Sequence, residues 1–94
     1  MTQASSPHAP PSSLKGQVVL ITGAASGIGA ATALEVVNRG GIPILVDCDE
    51  APLALMAEQC GVSASSFVAD VTDLAAMQAV VAETLAVHRR IDGV

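Results

Sequence analysis

Apolar residues fall in blocks along this chain, separated by glycine, proline and acidic positions. Residues 17–22 form a nearly continuous run through Val18, Val19, Leu20 and Ile21, which predicts a short strand buried on both faces. Glycines from Gly23 to Gly29 then interrupt it. Over residues 28–38, Ile28, Ala31, Leu34 and Val37 recur at helical spacing and predict a helix with that stripe inward. Glu35 stands one turn before Arg39, the favourable order for a surface pair. Gly40 and Gly41 end the helix, because glycine takes up the left-handed cap without strain. Residues 42–46 predict a second buried strand, with Pro43 confined to its first positions because it cannot donate to a ladder. Asp49 is the expected cap of the next helix and Pro52 fits its first turn. Leu53, Met56 and Cys60 share the inner face of that helix, and Gly61 stops it. After a polar loop at 62–66, Phe67, Val68 and Ala69 predict a third short strand closed by Asp70. Thr72 is the expected cap of a long helix with Asp73 in its first turn and Leu74, Met77, Val81 and Leu85 as its inward stripe. His88, Arg89 and Arg90 fall in its last turn as solvated, dipole-matched groups. Residues 91–94 open a fourth strand.

Strand and helix alternating at this spacing predict right-handed βαβ units and a parallel sheet flanked by helices. The expected organisation is a disordered tail over residues 1–15, rich in proline and serine, followed by one partial domain over 16–94. His8 falls in that tail as a solvated side chain. The 94 residues leave room for one modest core.

Composition narrows the function. The net charge is −5, and Lys15, Arg39, Arg89 and Arg90 are the four strong cations. Without a basic patch a nucleic-acid partner is not expected. An anionic ligand would have to be held by backbone N–H groups. Cys48 and Cys60 lie too far apart for a CxxC motif and are expected to be small buried hydrophobes, with no disulfide and no metal site. No apolar run has the length of a membrane span, so no membrane partner is expected and the cytoplasm is the expected location.

The candidate chemistry starts in the glycine loop, Thr22-Gly23-Ala24-Ala25-Ser26-Gly27-Ile28-Gly29. Gly23 permits a sharp turn off the strand. Gly27 removes a side chain where backbone would approach a pyrophosphate, and Gly29 lets helix and strand pack closely. Free N–H groups of the first helical turn, including that of Ile28, point at the anion with the helix dipole behind them. Ser26 offers a hydroxyl to the phosphate. The bland alternative is a tight strand-to-helix turn with no ligand. No lysine follows the glycines, which disfavours an ATPase or GTPase loop.

Asp47 closes the second strand. An acid about 20 residues past the first glycine accepts from adenosine ribose hydroxyls, and its charge repels a 2′-phosphate. No cation stands beside it, so NAD is favoured over NADP. Cys48 follows, with its backbone near the adenine edge. Asp70 can accept from the adenine amino group and Val71 N–H can donate to a ring nitrogen. For Asp70, capping of the following helix is an equal alternative.

With these residues in place the chain resembles the short-chain dehydrogenase/reductase family. The carriers are Thr22-Gly23-(three residues)-Gly27-Ile28-Gly29, Asp47, Asp70-Val71, and the lead-in Ile91-Asp92-Gly93-Val94. The resemblance spans residues 14–94 and implies a Rossmann-type α/β domain, truncated here at the start of the fourth strand. It implies hydride transfer between NAD(H) and an alcohol/carbonyl pair. It also implies catalysis by Ser, Tyr and Lys with a helping Asn, none of which is placed here: the sequence contains no tyrosine. The expectation is a dinucleotide-binding fragment of an NAD-dependent oxidoreductase, marginally stable and inactive alone. Its partners would be the cofactor and, in a complete chain, a small alcohol or carbonyl substrate and further copies of itself. Two alternatives remain open at this point. One is a non-catalytic NAD-binding module; the other is an S-adenosylmethionine-binding Rossmann fragment, whose ligand has no pyrophosphate to cradle.

Overall fold

The computed structural model describes residues 13–94; most of the expected tail, with His8, lies outside the described residues. The order is β1 (Val18–Thr22), α1 (Gly27–Asn38), β2 (Ile42–Asp47), α2 (Glu50–Cys60), β3 (Ser65–Val68) and α3 (Leu74–His88). The strands form one parallel sheet in the order β1-β2-β3, with Val18 opposite Ile42 and Ile44 opposite Ser65. Gly93 forms a single parallel bridge with Val19 on the free edge of β1, so residues past α3 return beside β1, where the expected fourth strand is represented by that bridge alone.

Side-chain alternation along the strands divides the core in two. Ile21 and Leu45 pack with Ala33 and Val36 of α1 and with Leu53, Met56 and Cys60 of α2. Val18, Leu20, Ile44 and Val46 face the other way, against Ala69 and Val80. Helices α1 and α2 therefore cover one face of the sheet and α3 the other. The chain changes face next to β1, and the carboxyl end of such a switch point is where open α/β sheets bind ligands.

Pro43 is the second residue of β2 and is buried in the middle strand. Ile42 N–H donates to Gln17 O on the β1 side. By strand alternation Pro43 N then faces the β3 side, where pairing starts only at Ile44. The missing donor costs no ladder bond.

Helix α1 ends as the glycines predict. Gly40 has φ +85°, Gly40 N–H donates to Val37 O and Gly41 N–H to Val36 O, a Schellman motif. Arg39 Nε donates to Glu35 Oε2 at 2.6 Å on the exposed surface. Leu14 lies inside the stretch expected as tail, yet its N–H donates to Arg39 O and its side chain packs on the core.

The inward faces of two helices differ from expectation. In α1 the buried residues are Ala33 and Val36, whereas Ile28 is 87% exposed and Ala31 and Leu34 are exposed too. The helix is apolar almost all round, so spacing alone admits several stripes. The close approach of Gly29 to Gly23 O fixes its rotation and turns the Gly29–Ala33–Val36 side to the sheet. In α3 the buried residues are Val80 and Thr84, Met77 is half-buried, and Leu74, Val81 and Leu85 are exposed. Thr84 satisfies its hydroxyl by donating to Val80 O at 2.8 Å, so a polar residue holds a core position.

The cap of α3 is Asp73, whose Oδ1 accepts from Ala76 N–H at 3.1 Å, and not Thr72. Thr72 is drawn away because its N–H and hydroxyl both donate to Asp70 Oδ1. Asp49 occupies the N-cap position of α2 but its side chain makes no cap bond. Strand β3 starts earlier than expected, since Ser65 and Ser66 pair with β2 despite their polarity. Beyond α3 only His88 belongs to the last turn; Arg89 takes the left-handed cap with φ +65°. Arg90 lies past the helix and clamps Asp92 with two bonds of 2.8 and 2.7 Å. His88 is not freely solvated, because its Nε2 is buried without a partner. Cys60 is buried as expected, but Cys48 is exposed, since it follows the strand end at the rim of the sheet. No helix among the described residues is long and apolar enough to cross a membrane.

Candidate functional site

The glycine loop leaves β1 at the carboxyl edge of the sheet. Gly23 has φ +63°, the left-handed region a sharp turn needs. A Cβ on Gly29 would lie 2.0 Å from Gly23 O, so only glycine permits this approach of helix and strand. A Cβ on Gly27 would meet nothing within 4 Å. The fold therefore demands glycine at 23 and 29 and makes no demand at 27.

No side chain caps the start of α1. Its N-cap, Ser26, turns its hydroxyl inward to donate to Gly23 O at 2.9 Å. That hydroxyl braces the turn rather than reaching outward for an anion. The intrahelical ladder opens with Ala30 N–H donating to Ser26 O, and the N–H groups of Gly27, Ile28 and Gly29 belong to the turn before it.

Asp47 ends β2 beside this loop. Its Oδ2 accepts from Ala25 N–H at 2.9 Å and its Oδ1 from Asp49 N–H at 3.1 Å. These two bonds, chiefly that from Ala25, hold its carboxyl below the ordinary carboxylate pKa. The charge of Asp49, then slight desolvation and the charge of Asp47, push the pKa of the exposed Cys48 thiol up. The ligand atoms of Asp47, Cys48 and Asp49 come within 4.8 Å of one another, and each Asp47 oxygen accepts one backbone N–H and keeps capacity for a second donor.

Asp70 follows β3. The hydroxyl and then the N–H of Thr72 lower its pKa by donating to Oδ1. Ala69 N–H donates to Asp47 O, which draws the end of β3 alongside the end of β2. Gly23, Asp47, Cys48, Ala69, Asp70 and Val71 thereby line one hollow of about 140 Å³. A second hollow of about 420 Å³ lies along β1 and the start of α1, past Ser26, Ile28 and Gly29. Gly23 borders both. Eight of the nine residues singled out from the sequence thus line two adjoining hollows at one edge of the sheet; Gly27 lies in the same turn, between Ser26 and Ile28, but lines neither hollow.

Ala25 contributes to the site through its N–H, without a marker in the sequence. Asp92, one of the residues that carry the family resemblance, has a structural role at the opposite end of β1. Asp92 accepts from Val18 N–H at 2.8 Å and from Arg90, pinning the start of β1; Arg90 chiefly lowers its pKa. The Asp-Gly pair at 92–93 was the available signal for it.

A parallel sheet with helices on both faces and a glycine loop at its switch point defines a Rossmann-type nucleotide-binding α/β architecture. The short chain dehydrogenase family profile matches residues 17–94, and the chain belongs to that family. It is 42% identical over 67 residues to 3-hydroxyacyl-CoA dehydrogenase type-2 of Bos taurus, covering 71% of this chain and 26% of the relative. It is 39% identical over 82 residues to D-threitol dehydrogenase of Mycolicibacterium smegmatis, covering 84% and 32%. A 3-ketoacyl-(acyl-carrier-protein) reductase from Brucella melitensis, complexed with NADH, superposes with a TM-score of 0.81 at 35% identity, covering 85% of this chain and 33% of that one. A metagenomic short-chain oxidoreductase in complex with NADP gives 0.79 at 34%, covering 85% and 38%. The chain thus spans between 26% and 38% of these relatives' lengths.

Proposed function

We propose that these residues hold the adenosine and pyrophosphate of NAD in an oxidoreductase that exchanges hydride between NAD(H) and an alcohol/carbonyl pair. The observation that carries this reading is Gly27. It is a glycine that the fold does not need, facing open space between two glycines that the fold does need. Room for backbone to approach a ligand explains it; a bare structural turn does not.

The assignments follow from position. The N–H groups of Gly27, Ile28 and Gly29 would take the pyrophosphate at the positive end of the α1 dipole. Ser26 and Gly23 shape the turn. Asp47 would accept from the adenosine ribose. Cys48, Asp70 and Val71 would border the adenine, with Asp70 accepting its amino group and Val71 N–H donating to a ring nitrogen. When bound, the dinucleotide supplies the hydride donor or acceptor. NADH- and NADP-bound relatives support the cofactor class. NAD is preferred because the Asp47 carboxylate would face a 2′-phosphate with no cation among the residues around that hollow to compensate.

The Tyr and Lys that the family resemblance implies for proton exchange are not among these residues, so the 94 residues alone are expected to bind without turnover. The two free thiols support a cytoplasmic setting. Calorimetric titration with NADH and NADPH tests the reading. NADH should bind at least about tenfold more tightly, a difference of about 1.4 kcal/mol. Equal affinity, or tighter NADPH, would overturn the preference, and no binding of either would overturn the function.

A further inference from the structure

We propose that Asp47 is a positioning residue for the pyrophosphate loop as well as a partner for the ribose. The proposal rests on the dinucleotide reading above and extends it to how the loop is held. The loop must present its N–H groups outward, and no side chain caps the helix they begin. Two cross-links tie the loop to β2 instead: Ala24 N–H donates to Val46 O at 3.1 Å, and Ala25 N–H donates to Asp47 Oδ2 at 2.9 Å. The first is main chain to main chain and does not depend on the side chain at position 47. The second depends on a side-chain acceptor at position 47. Asp47 Oδ1 meanwhile holds Asp49 N–H at the start of α2. One carboxylate thus joins the glycine loop, the end of β2 and the entry to α2.

Position 47 then carries two separable properties. Its charge sets the discrimination against a 2′-phosphate. Its acceptor oxygen sets the conformation of Ala25. Asp47→Asn removes the charge and keeps an oxygen; Asp47→Ala removes both. Amide hydrogen exchange at Ala25, read by NMR, reports the acceptor. Titration with NADH and NADPH reports the charge.

Asp47→Asn should erode the NADH preference while leaving Ala25 exchange within about threefold of the parent. Asp47→Ala should erode the preference and speed Ala25 exchange by about tenfold or more, as loss of a bond to a charged acceptor implies. In the unaltered protein, a through-hydrogen-bond scalar coupling should link Ala25 nitrogen to the Asp47 carboxyl carbon. That measurement decides the matter if the alanine variant does not fold. Unchanged Ala25 exchange in Asp47→Ala, or no coupling in the parent, would overturn the positioning role and leave the cofactor reading standing. Unchanged selectivity in Asp47→Asn together with fast Ala25 exchange in Asp47→Ala would support the positioning role and count against the NAD preference.

Discussion

Alanine at Gly27 and alanine at Gly29, two positions apart in one turn, should have opposite consequences. At Gly29 the new Cβ would lie 2.0 Å from Gly23 O, 2.7 Å from Gly23 C and 3.1 Å from Ala24 Cα. All three are backbone atoms, so no side chain can swing aside. Reaching an ordinary separation of about 3.5 Å requires α1 to move off the loop by about 1.5 Å. That shift loosens Ala33 and Val36 against Ile21 and Leu45. Overpacking of this kind costs about 1–3 kcal/mol, and better helix propensity returns about 1 kcal/mol at most. With the cost at the upper end, as a backbone clash at 2.0 Å implies, and the full return set against it, the net loss of about 2 kcal/mol should lower the Tm by about 10 °C in a domain this small. At Gly27 nothing lies within 4 Å. Alanine there should raise stability by up to about 1 kcal/mol by restricting the unfolded chain. The same methyl should weaken NADH binding at least about tenfold by keeping phosphate off the backbone. Thermal unfolding by circular dichroism and NADH titration of both variants make the comparison. Destabilisation by Gly27→Ala, or undiminished NADH affinity in it, would refute the argument that ligand rather than fold requires that glycine.

Other consequences are open to measurement. Asp47, Asp70 and Asp92 all have pKa values below the ordinary carboxylate range. Their folded pKa values are depressed, so their contribution is complete above the unfolded value of about 3.9 and is lost as pH falls through the folded values. Urea midpoints should therefore be flat in this respect above about pH 5 and drop below about pH 4, with a shallower drop in Asp47→Asn; an identical drop would show that Asp47 takes no part. Asp92→Ala removes the acceptor for Val18 N–H and should lower the Tm more than Arg90→Ala, which leaves that bond in place. Val80→Ala should cost about 2 kcal/mol by opening the α3 side of the core. Val81→Lys, on the exposed side of the same helix, should stay within about 0.5 kcal/mol, and the reverse ranking would restore the inward stripe expected from spacing.

The alternation of elements and the glycine loop were legible because each has a strong physical marker. Val18 to Ile21 is a short, mostly β-branched run that glycine breaks, the mark of a strand, and Gly23 and Gly29 mark a turn and a close approach. The lead-in at 91–94 marked extended chain after α3, but its place beside β1 came only from the fold. Helix rotation was not. Residues 74–88 carry Ala, Val and Leu on every side, so Leu74, Met77, Val81 and Leu85 form as good a stripe as the face in use. Thr84 conceals the true face, because its hydroxyl is satisfied within its own helix. Competition among neighbouring polar residues hid the α3 cap: Thr72 and Asp73 both suit the role, and Asp70 decides it by capturing Thr72. In the site, residue types marked Asp47 and Asp70 but not the backbone donors that meet them. The Ala25 bond to Asp47 arises from the fold, which brings residues 22 positions apart together.

The most direct test maps NADH onto the amide spectrum of the protein. NADH should shift the amides of Gly23, Gly27, Ile28 and Gly29 together with those of Cys48 and Val71. Shifts confined to the outer face of α3, or none at all at these six amides under NADH excess, would contradict the dinucleotide reading.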